Sequence, residues 1–154
     1  MAKNNGSVVI LIADDDIDDR MMIKDAFKER RLGNEIRFVE DGEDLTDYLL
    51  RKGKYTDGSS SPRPGLILLD LNMPKKDGRE ALKEIKNNPD LKSIPIVVLT
   101  TSKAQEDIYK TYNLGVNSYI TKPVTFEALV NVARDVSNYW FEIVELPSSN
   151  KSMT

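Results

Sequence analysis

The chain has 154 residues and a mass of 17.4 kDa, which suits one domain with a buried core and a short appendage. It holds no Cys and no His, so disulfides, thiolate metal sites, Cys nucleophiles, histidine haem ligation and Ser-His-Asp catalysis are excluded. A net charge of −3 without a basic stripe argues against nucleic acid as the main partner, and leaves carboxylates, Lys, hydroxyls, backbone groups and hard cations to carry any chemistry.

Residues 1–7 read as an N-terminal extension. Val8 to Ala13 is a continuous, β-branched run of six residues. It is too short to span a membrane and has no cleavage-site pattern, so a soluble, cytoplasmic protein without a membrane partner is expected. The run ends in Asp14-Asp15-Asp16, followed closely by Asp18 and Asp19. Met21, Met22, Ala26 and Phe27 then predict a helix over about 16–30. Ile36 to Val39 is a second strand pattern, and Leu45, Tyr48 and Leu49 mark a helix near 43–51. The stretch 51–65 contains Gly53, Gly58, three consecutive Ser, Pro62 and Pro64, and reads as a long flexible loop inside the domain.

Leu66 to Leu69 is a third strand, and Ala81, Leu82 and Ile85 mark a helix over about 79–87, ended by Asn87-Asn88-Pro89. Ile96 to Leu99 is a fourth strand. Ile108, Tyr109, Tyr112 and Leu114 predict a helix near 104–113, stopped by Gly115. Ser118 to Ile120 is a fifth strand, and a last helix follows a Thr125 N-cap. Continuous apolar strands alternating with amphipathic helices predict an α/β fold with a parallel sheet covered on both faces. Residues 8–140 would form this domain, and 141–154 a C-terminal extension and tail.

The polar outliers collect at one end of that sheet. Asp14 and Asp15 follow the first strand, Asp70 the third, Thr100-Thr101-Ser102 the fourth, and Lys122 the fifth. Open parallel sheets bind ligands beyond the carboxyl ends of their strands. Asp16 reads as a helix cap, and Asp18 and Asp19 as first-turn acids favoured by the helix dipole. Three carboxylates in one cleft repel, by about 4 kcal/mol per pair at ~4 Å and an effective dielectric near 20. An oxygen-seeking divalent cation, Mg²⁺ or Mn²⁺, would relieve this. An EF-hand is excluded, because the sixth and twelfth positions counted from Asp14 are Asp19 and Asp25 instead of Gly and Glu. There is no Walker A loop and no G-x-G-x-x-G.

Asp14-Asp15-Asp16, Asp70-Leu-Asn72-Met-Pro74-x-x-Asp77-Gly78, Thr100-Thr-Ser and Lys122-Pro123 together resemble the signature of the response-regulator receiver domain. The resemblance spans about residues 8–140 and implies a flavodoxin-like (βα)₅ fold with strand order 2-1-3-4-5. It implies Asp70 as phosphoacceptor for a sensor histidine kinase. Asp14, Asp15 and Asp70, with the Asn72 backbone carbonyl, would hold the metal. Thr100 and Lys122 would bind phosphoryl oxygens, with Thr100 and Tyr119 as the switch pair. It also implies a cis peptide before Pro123.

Residues 71–80 and the ending Tyr139 to Pro147 are similar to the small regulators that serve bacterial phytochromes, which points to a phytochrome as kinase. Such a protein catalyses only its own phosphorylation and dephosphorylation, and is not otherwise an enzyme. With about 15 residues after the last helix, output is expected through a downstream protein target. Trp140, Phe141, Ile143, Val144 and Leu146 continue an apolar pattern, read either as a tail packed on its own domain or as a homodimer or partner interface. An aspartate-nucleophile phosphohydrolase is disfavoured, because its general acid would stand where Asn72 is. A receiver that binds a partner without phosphorylation is disfavoured because the acceptor, metal and phosphate groups are all present.

Overall fold

The structure is a computed structural model, and it describes residues 8–29, 34–143 and 145–146, without the side chains of residues 60 and 141–143. Five parallel strands form one sheet in the order β2-β1-β3-β4-β5. They are β1 (Ile10–Ala13), β2 (Ile36–Val39), β3 (Leu66–Leu69), β4 (Ile96–Thr100) and β5 (Ser118–Thr121). Helices α1 (Ile17–Glu29), α2 (Gly42–Leu50), α3 (Gly78–Lys86), α4 (Gln105–Leu114) and α5 (Phe126–Ser137) alternate with them.

Side chains alternate across a strand, and this divides the core in two. Leu11, Ala13, Ile67, Leu69, Ile96 and Val98 point to one face, where Leu45, Tyr48, Ala81, Leu82 and Ile85 of α2 and α3 cover them. Ile10, Ile12, Leu66, Leu68, Val97 and Leu99 point to the other, against Ile23, Ala26 and Phe27 of α1 and Leu129, Ala133 and Val136 of α5. The central strands β1, β3 and β4 are buried throughout, whereas edge strand β5 is half-buried along its length. That is why the three central strands read as unbroken apolar runs and the fifth does not.

Helix ends follow the expected chemistry. The Asp16 carboxylate accepts from the N–H groups of Asp18 and Asp19 at the start of α1, and Thr125 Oγ1 accepts from the Ala128 N–H at the start of α5. Gly115 ends α4 with φ +107°, a left-handed conformation natural to glycine.

Two expectations meet a different outcome, and of the two readings of the C-terminal apolar pattern the tail packed on its own domain fits Trp140 and Leu146. The peptide bonds of the described residues are all trans, so the cis bond expected before Pro123 is absent. X-Pro bonds favour trans by about 0.5–1 kcal/mol, and Lys122 reaches its partners from the trans form. The segment 51–65 carries two single-turn 3₁₀ helices, Gly53–Tyr55 and Gly58–Ser60. Tyr55 is buried there, with its ring against Tyr48 and its hydroxyl donating to Asp44 at 2.8 Å. Tyr48 in turn donates to the Pro62 carbonyl at 2.7 Å. Two tyrosines thus pin a stretch whose composition suggests only turns. Past α5, a π-helical turn (Asn138–Ile143) carries Trp140 into the α1/α5 core, and Leu146 packs against the same cluster. These two residues face the chain's own core. The side chains of Phe141 and Ile143, and Val144, lie outside the described residues.

Candidate functional site

Strand register begins the assembly of the site. Ala13 pairs with Leu69 in the β1–β3 ladder, and the Asp70 N–H donates to the Ala13 carbonyl at 2.9 Å. Asp14 and Asp70 therefore leave the sheet side by side. On the other flank, β4 ends at Thr100, which pairs with Thr121, and the Lys122 N–H donates to the Thr100 carbonyl at 2.7 Å. Four adjacent strand ends thus deliver the carboxylates, a hydroxyl and an ammonium to one place.

The loop after β3 is closed tightly. The Gly78 N–H donates to the Leu71 carbonyl at 2.9 Å. A Cβ at Gly78 would lie 2.3 Å from the Asp70 carbonyl oxygen, so only glycine lets α3 begin this close to the site. Asp77 caps the helix, its carboxylate accepting from the N–H groups of Arg79 and Glu80.

Asp14, Asp70 and Thr100 are 1%, 6% and 0% exposed, so each must find partners or destabilise the fold. Thr100 Oγ1 donates to Asp70 Oδ1 at 2.7 Å, and the Asn72 N–H donates to the same oxygen at 3.2 Å. Lys122 Nζ lies 3.0 Å from Asp70 Oδ2, 2.6 Å from Asp14 Oδ2 and 2.7 Å from Asp19 Oδ2. An ammonium has three protons, and these three acceptors occupy them all. Asp14 Oδ1 accepts from the Asp16 N–H at 2.9 Å.

Burial pushes the Asp14 carboxyl above its usual range, and the bonds from Lys122 and the Asp16 N–H only partly offset this. Burial alone would lower Lys122. Its bonds to Asp14 and Asp19 and the charges of Asp14 and Asp70 outweigh that and hold it above the usual lysine range. One cation therefore serves a cluster that remains strongly negative.

Carboxylate oxygens of Asp14, Asp15 and Asp70 all lie within 4.8 Å of one another, with Asp15 exposed and the other two buried. This all-oxygen, half-open set suits a hard divalent cation that keeps some of its waters. Two buried carboxylates and a third beside them, sharing a single ammonium, are the observation that makes the fit physical: a second cation would relieve their repulsion.

Two features escaped the sequence reading. Asp19 was expected to be an ordinary first-turn acid, yet it shares Lys122 across 103 positions. Capping by Asp16 fixes the first turn of α1 so that Asp19 faces the β5–α5 loop, a placement without a local signal. Arg79 and Asp107 form a bidentate pair, with Nε to Oδ1 at 2.7 Å and Nη2 to Oδ2 at 2.6 Å, joining α3 to α4. Asp107 also accepts from Ser102 Oγ at 2.7 Å, and Tyr119 donates its hydroxyl to the Ser102 carbonyl at 3.0 Å. The Arg79 guanidinium and the Ser102 hydroxyl hold the Asp107 carboxyl down at about 2 against the opposing effect of burial.

A doubly wound sheet of this order, with acids past its first and third strands and a hydroxyl and an ammonium past its fourth and fifth, fits a receiver. Residues 10–134 match the model of the response regulator receiver domain, and the chain belongs to that family: a signalling receiver of two-component systems, and not a conventional enzyme. The chain is 42% identical over 147 residues to the response regulator Rcp1 of Synechocystis sp., covering 96% of this chain and 98% of that protein. The crystal structure of the Mn²⁺-bound form of Rcp1 aligns with a TM-score of 0.84 at 43% identity, over 92% of this chain and 99% of that one. The structure of the phosphorylated cyanobacterial phytochrome response regulator RcpA aligns with a TM-score of 0.86 at 41% identity, over the same shares. Among the described residues no helix is long and apolar enough to cross a membrane.

Proposed function

We propose that the protein receives a phosphoryl group on Asp70 from the phosphohistidine of a sensor kinase, and that this kinase is a bacterial phytochrome. The observation that carries the acceptor assignment is the environment of one carboxylate. Asp70 holds Thr100 on one oxygen and Lys122 on the other, beside Asp14 and Asp15. Such transfer is mostly positioning and charge neutralisation. An Asp70 oxygen forms a bond to phosphorus, the P–N bond of the donor breaks, and its electron pair stays on the imidazole nitrogen. Lys122 is placed to meet the charge on the phosphoryl oxygens, and the Thr100 hydroxyl to donate to one of them.

Asp14, Asp15, Asp70 and the Asn72 carbonyl would hold Mg²⁺, which supplies further neutralisation of the phosphoryl oxygens when bound. After transfer, Thr100 exchanges its bond to Asp70 for one to the phosphoryl group. Tyr119, now bonded to the Ser102 carbonyl, follows the vacated space. This biases the chain between two conformers. The phytochrome assignment rests on likeness to Rcp1 and to the phytochrome regulator RcpA. It is tested by timed phosphotransfer from a panel of autophosphorylated histidine kinases. Transfer should be fastest from a phytochrome kinase, and a faster non-phytochrome donor at equal concentration would overturn the assignment.

A further inference from the structure

Both groups that bond Asp70 Oδ1 come from loops that a third residue ties together. The Asn72 N–H belongs to the β3–α3 loop, and Thr100 leads into the β4–α4 loop. Arg79, in the first turn of α3, reaches Asn72 Oδ1 at 3.4 Å with Nη2 and the Leu71 carbonyl at 3.5 Å with Nη1. The same guanidinium grips Asp107 of α4 through two bonds, and Asp107 holds the Ser102 hydroxyl.

A Thr hydroxyl has one proton, and Thr100, which is 0% exposed, donates it to Asp70. To donate to a phosphoryl oxygen instead, Thr100 must turn or shift. Ser102 is two residues away along the chain, bonded to Asp107 by its side chain and to Tyr119 by its carbonyl. A shift of Thr100 would therefore pull on Ser102 and, through its bond to Asp107, on the Arg79–Asp107 pair.

We propose that the Arg79–Asp107 pair is a latch holding the β4–α4 loop in its unphosphorylated arrangement, so that Arg79, without touching the phosphoryl group, restrains the change that follows phosphoryl acceptance. The proposal rests on Asp70 being the acceptor. The latch bonds only one of two states, so breaking it shifts the equilibrium toward the other by its differential free energy. A merely structural pair would stabilise both states alike and leave the affinity for a phosphoryl mimic unchanged.

The test is calorimetric titration of the full chain with beryllofluoride in saturating Mg²⁺. Arg79→Gln should bind about fivefold more tightly than wild type, and Arg79→Lys should fall between, having one bond where Arg has two. Asp107→Asn breaks the same pair from α4 and should match Arg79→Gln, which keeps the test alive if one variant fails to fold. Unchanged or weakened binding in the folded variants, with wild type binding normally, overturns the latch alone. If wild type itself does not bind beryllofluoride, the acceptor reading fails and the latch with it.

Discussion

Replacing Lys122 with Met isolates the electrostatic core of the site. Methionine keeps an unbranched, adaptable side chain at a position only 9% exposed, but removes the cation. The carboxylate oxygens of Asp14, Asp15 and Asp70 lie within 4.8 Å of one another. At an effective dielectric near 20, two like charges at that separation repel by about 3 kcal/mol. Lys122 opposes this from 2.6 Å and 3.0 Å of the two buried acids.

Without divalent cation at pH 8, Lys122→Met should therefore lose about 2–3 kcal/mol, a fall in Tm of roughly 5–10 °C for a domain of this size. The pH dependence has a definite sign. Burial already raises the Asp14 carboxyl, and loss of the Lys122 bond that holds it down raises it further. A group whose folded value exceeds its unfolded value takes up protons on folding, so the variant gains stability as pH falls from 8 toward 5. The gap from wild type should narrow over that range. Saturating Mg²⁺ should also raise the Tm of the variant more than that of wild type, since a ligand of the folded state stabilises it by mass action. Thermal unfolding by circular dichroism in EDTA at both pH values reads the first effect, and its repetition with Mg²⁺ the second. Equal Tm values at pH 8, or a gap that does not change with pH, would refute the reasoning.

Three further outcomes are expected. Asp107→Asn should cost about 1 kcal/mol near neutral pH, since the side chain of Arg79 is 36% exposed and solvent screens the pair. Because the Asp107 carboxyl is held down at about 2, its contribution is present above the unfolded value near 3.9 and is lost as pH falls toward 2, so variant and wild type should converge in acid denaturation. Gly78→Ala forces a Cβ to within 2.3 Å of the Asp70 carbonyl oxygen; a loss of about 1–3 kcal/mol is expected, with slower phosphorylation by acetyl phosphate, and urea unfolding with a rate assay measures both. Phe27→Ala empties a site 2% exposed between α1, the sheet and α5 and should cost about 3–5 kcal/mol by urea denaturation while leaving Mg²⁺ affinity near that of wild type.

What the sequence made legible follows from what is local. The runs Ile10 to Ala13, Leu66 to Leu69 and Ile96 to Leu99 are apolar on both faces, so their strand character and burial can be read directly. Each ends on the residue type that projects into the cleft, which is why Asp14, Asp70 and Thr100 were found together. The Asp16 and Thr125 caps are i to i+3 events and equally visible.

Asp19 and the Arg79–Asp107 pair were not legible, because their partners lie 103 and 28 residues away and any surface acid or base carries the same local signal. The 51–65 stretch misled for a related reason. Its Gly, Ser and Pro set the turns, but Tyr55 anchors it through Asp44 and Tyr48 on a different element. Trp140 shows the limit of apolar patterning: an aromatic past the last helix suits an interface and a core equally, and only tertiary packing places it in the core.

The central claim is that Asp70 is the phosphoacceptor. The most direct measurement is intact-protein and peptide mass spectrometry after incubation with acetyl phosphate and Mg²⁺. Wild type should gain one phosphoryl group, mapped to the peptide containing Asp70 and lost on EDTA pretreatment of the mixture, while Asp70→Asn should gain none. Equal labelling of Asp70→Asn, or a phosphoryl group mapped to Asp14 or Asp15 in the wild-type protein, would contradict the account.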